Sequence, residues 1–303
     1  MSEYLLSTSG LTKQFGHHKA VNNVDLHVKK GAIYGFIGRN GAGKTTFLKM
    51  ISGLSKPTDG EIQMFGYRNE ELKNVRSRIS CLIEAPGIYG NMSAYHNLAI
   101  KCRLFGINDS KYIENILKIV GLSEVGKKKT KHFSLGMKQR LGIGLALVGE
   151  PDLLVLDEPI NGLDPQGIAE IRDMLLRLKE EQNMTIIISS HILEELSKIA
   201  THYGIIHNGS LIQELTREEL MTRCSERMEL TLDDPKAALP ILDQMGFTNY
   251  QVVNQSTIHI YERLNESAAV NMAKAGVLVK GIGITNEELE NYFLNLTGGA
   301  HNA

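Results

Sequence analysis

The sequence predicts an α/β fold: a mixed sheet flanked by helices, with a small C-terminal α+β domain. Three observations carry this. Two apolar runs of strand length, residues 153–156 and 185–190, bracket a helical pattern over 165–182, in which Ile168, Ile171, Leu175 and Leu178 share a face. Runs apolar on both faces suit central parallel strands, and the βαβ order implies a parallel sheet covered by helices. A glycine-rich phosphate loop at 38–45 joins the short apolar strand 32–37 to a helix that starts near Thr46. From residue 228 the order reads strand, helix, strand, strand, helix, strand, the βαββαβ order of ferredoxin-like domains.

The elements follow in chain order. Residues 4–30 are β-rich, with strands at 5–8 and 24–28 and a turn at Gly16-His17-His18-Lys19. Pro57-Thr58-Asp59-Gly60 signals a turn before a strand at 61–65. Helices are expected at 69–78 and 93–104. A third, amphipathic one at 110–120 carries Tyr112, Ile113, Ile116, Leu117 and Val120 at helical spacing. The composition shifts near residue 220, which divides the chain into domains at 1–220 and 221–303. In the second, strands are expected at 228–232, 250–253, 256–261 and 277–284. Helices are expected at 235–245, 266–275 and 287–297, before a frayed tail at 298–303.

The 303 residues are 42% hydrophobic and 22% charged, enough for a buried core, and the formal net charge is −1. That balance implies no general attraction to nucleic acid or anionic lipid. The run Lys127-Lys128-Lys129 reads as a solvated loop. No stretch of 18 apolar residues offers a membrane span, and the N-terminus lacks the layout of a signal peptide. Cys81, Cys102 and Cys224 are far apart and match no metal spacing, which fits a reducing cytosol.

The chemistry begins at the phosphate loop, Gly38-Arg39-Asn40-Gly41-Ala42-Gly43-Lys44-Thr45. Its glycines let the backbone curl so that successive N–H groups face phosphate oxygens. Lys44 supplies a compact positive charge to the β- and γ-phosphates, Thr45 offers a hydroxyl to Mg²⁺, and Thr46 opens the helix whose N-terminal dipole favours an anion. Asp157 and Glu158 end the apolar run at 153–156, at the C-terminal strand edge where open α/β sheets bind ligands. Asp157 is suited to hold Mg²⁺ and Glu158 to polarise an attacking water. Ser134 has the position of a helix N-cap. Its hydroxyl, the Gly136 N–H and the helix dipole could together grip an anion.

These motifs resemble those of the ATP-binding subunits of ABC transporters. The match consists of the P-loop at 38–45, a signature-like Ser134-Leu135-Gly136-Met137-Lys138 and a Walker B run from Leu153 to Glu158. It continues with a D-loop-like Asn161-Gly162-Leu163-Asp164-Pro165 and a switch loop Ser189-Ser190-His191. The resemblance covers about residues 4–220 and implies a P-loop NTPase core of ABC type with a helical subdomain. It implies ATP with Mg²⁺ as ligands, Phe15 stacking on adenine and His191 bonding the γ-phosphate. It also implies Asp164 contacting a second subunit, and Ser134 with Gly136 reaching the γ-phosphate held by that subunit. Two copies would then lie head to tail with two ATP between them, serving a separate membrane permease on the cytoplasmic face of the membrane.

Two departures narrow the resemblance. In place of the usual Leu-Ser-Gly-Gly-Gln, Leu135 replaces the first glycine and Met137-Lys138 follow the second. The Q-loop glutamine is replaced by Glu84, within Cys81-Leu82-Ile83-Glu84-Ala85-Pro86-Gly87. Both features resemble the subgroup that exports bacitracin and lantibiotics for self-protection. They place Glu84 among the metal-facing and catalytic candidates, beside Glu158 and His191. The alternatives are an exporter of another substrate, or a soluble ABC-type ATPase acting on ribosomes or DNA. The latter usually has two ATPase halves or a long coiled coil, and this chain has one P-loop and no sustained heptads.

Overall fold

The computed structural model describes residues 3–224, 227–261, 274, 277–285 and 289–297. The chain divides into two compact units, Met1–Arg217 and Glu218–Ala303.

The first unit opens on two long antiparallel strands, β1 (Tyr4–Phe15) and β2 (His18–Lys29). Strand pairing runs further than the short strands expected at 5–8 and 24–28, and it absorbs His18 and Lys19. The turn is thereby reduced to Gly16 and His17. β3 (Ile33–Ile37) is buried throughout and feeds the phosphate loop, after which α1 (Lys44–Ile51) begins. β4 (Asp59–Met64) pairs with β1 and with β5 (Tyr67–Arg68), giving an antiparallel sheet in the order β2-β1-β4-β5. The helix expected at 69–78 forms as a 3₁₀ segment, Asn69–Arg78. It leads into β6 (Ile79–Leu82).

Next comes a helical stretch with α2 (Ala94–Leu104), α3 (Ser110–Ile119) and α4 (Leu135–Leu147). Each starts on a side-chain cap: Ser93, Asp109 and Ser134 accept the backbone N–H of His96, Lys111 and Met137. β7 (Leu153–Asp157), α5 (Pro165–Gln182) and β8 (Thr185–Ser190) form the expected βαβ unit, with β7 and β8 buried at every residue. Then follow α6 (Leu193–Ser197), β9 (His202–His207) and β10 (Ser210–Thr216), none of which stood out in the sequence. The second sheet runs β10-β9-β3-β8-β7-β6, parallel except where β10 meets β9.

The core of this unit lies between the two sheets. Phe47, Leu48, Met50 and Ile51 of α1 share one buried core with Leu6, Leu11, Val24 and Leu26 of the first sheet and Phe36, Val155 and Ile187 of the second. Among the described residues, only Ser52 Oγ, Arg140 Nε and Glu158 Oε1 are buried side-chain polar atoms without a hydrogen-bond partner. The Tyr34 phenol donates to Glu214 Oε1 at 2.7 Å, and its pKa is pushed well above the ordinary value by burial first and by the Glu214 charge second. Arg78 and Asp152, at the starts of β6 and β7, join through Nε and Oδ2 at 2.7 Å.

The second unit contains most of α7 (Arg217–Arg223), β11 (Arg227–Leu232) and α8 (Pro235–Gln244). It continues with β12 (Tyr250–Val252), β13 (Thr257–Ile260), β14 (Val279–Thr285) and a final helix, Leu289–Leu296. Its antiparallel sheet has the order β12-β13-β11-β14. Leu230, Leu232, Leu242, Phe247, Ile258 and Ile260 form a separate core. The helix expected at 266–275, apart from Lys274, and the tail at 298–303 lie outside the described residues. No helix among the described residues is long and apolar enough to cross a membrane.

Candidate active site

The site assembles where β3, β7 and β8 end side by side. Parallel pairing sets Asp157 opposite Ser189 and Ile37 opposite Ser190, so the three C-terminal edges present their residues together. The Gly38 N–H donates to the Ser190 carbonyl at 3.2 Å, fixing the start of the phosphate loop to β8. Gly43 has φ 105°, and a Cβ there would lie 2.3 Å from the Ala20 carbonyl oxygen; at Gly38 it would lie 2.6 Å from that of Ile206. Neither position admits a side chain.

The loop opens on a cleft of about 200 Å³ lined by Ala20, residues 39–41 and 43–46, and Glu158. Ala42 turns into the core instead, at 5% exposure. The N-terminus of α1 has no side-chain cap and no acidic residue in its first turn. Its free N–H groups and positive dipole end therefore suit an anion.

Lys44 is 5% exposed. Its ammonium donates to the carbonyls of Gly38 at 2.6 Å and Arg39 at 3.3 Å and lies 3.1 Å from Glu158 Oε1. That last contact is an ion pair without hydrogen-bond alignment. Glu158 Oε2 lies 2.9 Å from His191 Nδ1. Glu158 holds φ 47°, a left-handed setting that non-glycine residues adopt at a cost and that is concentrated at functional sites. Asp157 is buried and accepts two hydroxyls: Thr45 Oγ1 on Oδ2 at 2.7 Å and Ser189 Oγ on Oδ1 at 2.6 Å. Ser189 Oγ in turn accepts the Glu158 N–H at 2.9 Å. Thr45, Asp157, Glu158, Ser189, His191 and Lys44 thus form one connected network.

The remaining candidates stand elsewhere. Phe15, at the end of β1, is 55% exposed, with Lys13 Nζ 5.2 Å from its ring centroid; it is not a core residue. Ser134 caps α4, accepting the Met137 N–H at 3.2 Å. Asp164 caps α5, accepting the Gly167 N–H at 3.1 Å, so it has a local structural duty besides any contact with a second chain. A Cβ on Gly136 would meet Leu163 at 3.8 Å, which sets the start of α4 beside the loop before α5. None of Ser134, Gly136 and Asp164 lines the cleft at the P-loop. Glu84, with φ 64°, pairs with Lys49 on α1 at 2.6 Å.

Residues 21–161 match the family model for ABC transporters. The bacitracin transport ATP-binding protein BcrA of Enterococcus faecalis is 44% identical over 300 residues, which span 98% of this chain and 97% of that protein. The chain belongs to the ATP-binding proteins of ABC transporters. This ABC ATPase is also 43% identical over 210 residues to the lantibiotic transport ATP-binding protein SrtF of Streptococcus pyogenes, covering 69% of this chain and 90% of that protein. A solved dimer of an ATP-binding cassette, in a post-hydrolysis state with ADP and Pi, has the same fold. It matches at TM-score 0.63 and 24% identity, over 70% of this chain and 98% of that one.

The sequence pattern assigns no role to Ser189 and Ala20, which stand at the site, or to Lys49 on α1. Ser189 lies within the switch-loop motif and bridges Asp157 and Glu158. No sequence signal gives that role, because it depends on the parallel register of β7 and β8. Lys49 and Ala20 gave none, because their positions depend on how α1 and β2 pack.

Proposed function

We propose that the chain binds and hydrolyses MgATP as one of two head-to-tail copies that drive a membrane permease exporting a peptide antibiotic of the bacitracin or lantibiotic type. The observation that carries the hydrolytic reading is the convergence of Lys44, Thr45, Asp157, Glu158 and His191 around the phosphate loop. Lys44 and the α1 N-terminus would hold the phosphates, with Phe15 stacking on adenine and residues 39–43 wrapping the chain of phosphates. Thr45 and Asp157, joined by Glu84, would hold Mg²⁺, which neutralises charge on the β- and γ-phosphates. Glu158 accepts the proton of the attacking water, and His191, already aligned with that carboxylate, bonds the γ-phosphate. Ser134 and Gly136 stand at an open helix start away from the cleft. That placement suits donors acting on the nucleotide of the second copy, with Asp164 in the adjoining loop.

The cargo reading rests on near full-length similarity to BcrA and on the similarity to SrtF. Expression of the wild-type chain and of Glu158→Gln in the native host lacking this gene tests it. The wild type should restore the minimum inhibitory concentration of bacitracin or of a lantibiotic, and the variant should not. Restoration by neither chain for either class of peptide would redirect the cargo.

A further inference from the structure

Where the family has a neutral glutamine, the loop after β6 carries Glu84, and the structure gives this carboxylate a partner. Lys49 Nζ lies 2.6 Å from Glu84 Oε1, with the two side chains 37% and 66% exposed. A pair so exposed adds little to stability, so its interest lies in its placement. Lys49 stands five residues beyond Lys44 on α1, about 7.5 Å along the helix axis. The ammonium therefore ties Glu84 to the helix that begins at the phosphate site. Glu84 is itself held at φ 64°, a left-handed setting that a residue with a Cβ adopts only when its surroundings hold it there. A glutamine at 84 would need no counter-charge, whereas the carboxylate of Glu84 has one in Lys49.

We propose that Lys49 is a positioning residue for Glu84: its ammonium holds the carboxylate against α1, offsets its charge, and so sets how strongly Glu84 engages Mg²⁺ beside a bound triphosphate. This rests on Glu84 being a metal-facing residue. A carboxylate shared with an ammonium is a weaker ligand for a hard cation than a free one. Without the ammonium it also repels a triphosphate that no metal has neutralised. Loss of Lys49 therefore acts in two opposite directions, weaker binding of metal-free nucleotide and a lower requirement for Mg²⁺. A merely structural role would not produce that split.

The test measures binding of a fluorescent ATP analogue to the full chain, in EDTA and across a Mg²⁺ titration. It compares wild type, Lys49→Met, Lys49→Arg, Glu84→Gln and the double variant Lys49→Met/Glu84→Gln. Lys49→Met should weaken binding in EDTA and lower the Mg²⁺ concentration for half-maximal binding, each by roughly two- to five-fold, the scale of one exposed ion pair. Lys49→Arg should behave as wild type, and the double variant should follow Glu84→Gln. Equal weakening of Lys49→Met in both conditions overturns the proposal. The same split persisting in the Glu84→Gln background does so too, because it assigns the effect to Lys49 acting directly on the phosphates. If Glu84→Gln alone keeps the wild-type Mg²⁺ dependence, the premise that Glu84 faces the metal has failed, and the proposal fails with it.

Discussion

At the scale of single residues, the site is a relay of shared partners. Glu158 touches Lys44, His191 and, through its amide, Ser189. Glu158→Gln keeps the shape but cannot take a proton, so ATP should still bind while turnover falls by a factor on the order of 10² or more. Steady-state ATPase rates beside nucleotide titration check this, and near-normal turnover would move the proton acceptor elsewhere. Ser189→Ala removes one hydroxyl that serves two partners, leaving Asp157 Oδ1 and the Glu158 N–H without it. The cost should be about 1–3 kcal/mol of stability, with a lower ATPase rate, read by denaturant unfolding and by activity. An unchanged unfolding midpoint would show that water replaces the hydroxyl. The sequence made Lys44, Thr45, Asp157 and Glu158 legible because their chemistry is tied to fixed spacing on the chain. Ser189 and Lys49 act through neighbours that only folding supplies, and local pattern does not encode such neighbours.

At the scale of elements, legibility followed burial. β3, β7 and β8 are buried at every position and carry apolar runs at 33–37, 153–156 and 186–188, which announced them. β10 is an edge strand with Gln213 and Glu214 among its apolar residues, and the inner strand β9 is a short apolar run broken by Gly204 and flanked by His202 and His207, so neither pattern stood out. The segment Asn69–Arg78 has only Leu72 and Val75 buried, too little apolar surface to hold a full α-helix, and it settles as 3₁₀. The pair of Arg78 and Asp152 joins two of these strand starts. Arg78 holds the Asp152 carboxyl below the usual carboxylate range, first by its hydrogen bond and less by its charge, while burial works the other way. A carboxyl with a depressed folded pKa stabilises above its unfolded pKa of about 3.9 and loses that contribution as pH falls through the lower folded value. With both side chains about 40% exposed, the contribution should stay below about 1 kcal/mol. Asp152→Asn should therefore be slightly less stable than wild type at pH 6, with the gap closing as pH falls below the unfolded value. Urea unfolding across pH measures it, and a gap that stays constant with pH would assign the loss to packing.

At the scale of the whole molecule, the question is what the second unit contributes. The P-loop, the Walker B carboxylates and the switch histidine all precede residue 192, within Met1–Arg217. The core around α1 draws its residues from that unit, and the core around Leu230 and Ile258 draws its residues from the other. The match to SrtF occupies 90% of that protein but only 69% of this chain, so a cassette related to this one stands with far less chain. Units with separate cores can fold separately. Truncation after Arg217 should accordingly leave a soluble fragment that binds ATP with near wild-type affinity and shows one cooperative unfolding transition. It should also dimerise more weakly with ATP when Glu158→Gln blocks turnover, if the second unit steadies the pair. Nucleotide titration, thermal unfolding and sedimentation of the truncated Glu158→Gln chain against its full-length counterpart separate these effects. A fragment that binds ATP and dimerises as strongly as the full chain would free the second unit from any part in assembly. An insoluble fragment would make the second unit integral to the fold of the first, despite its separate core.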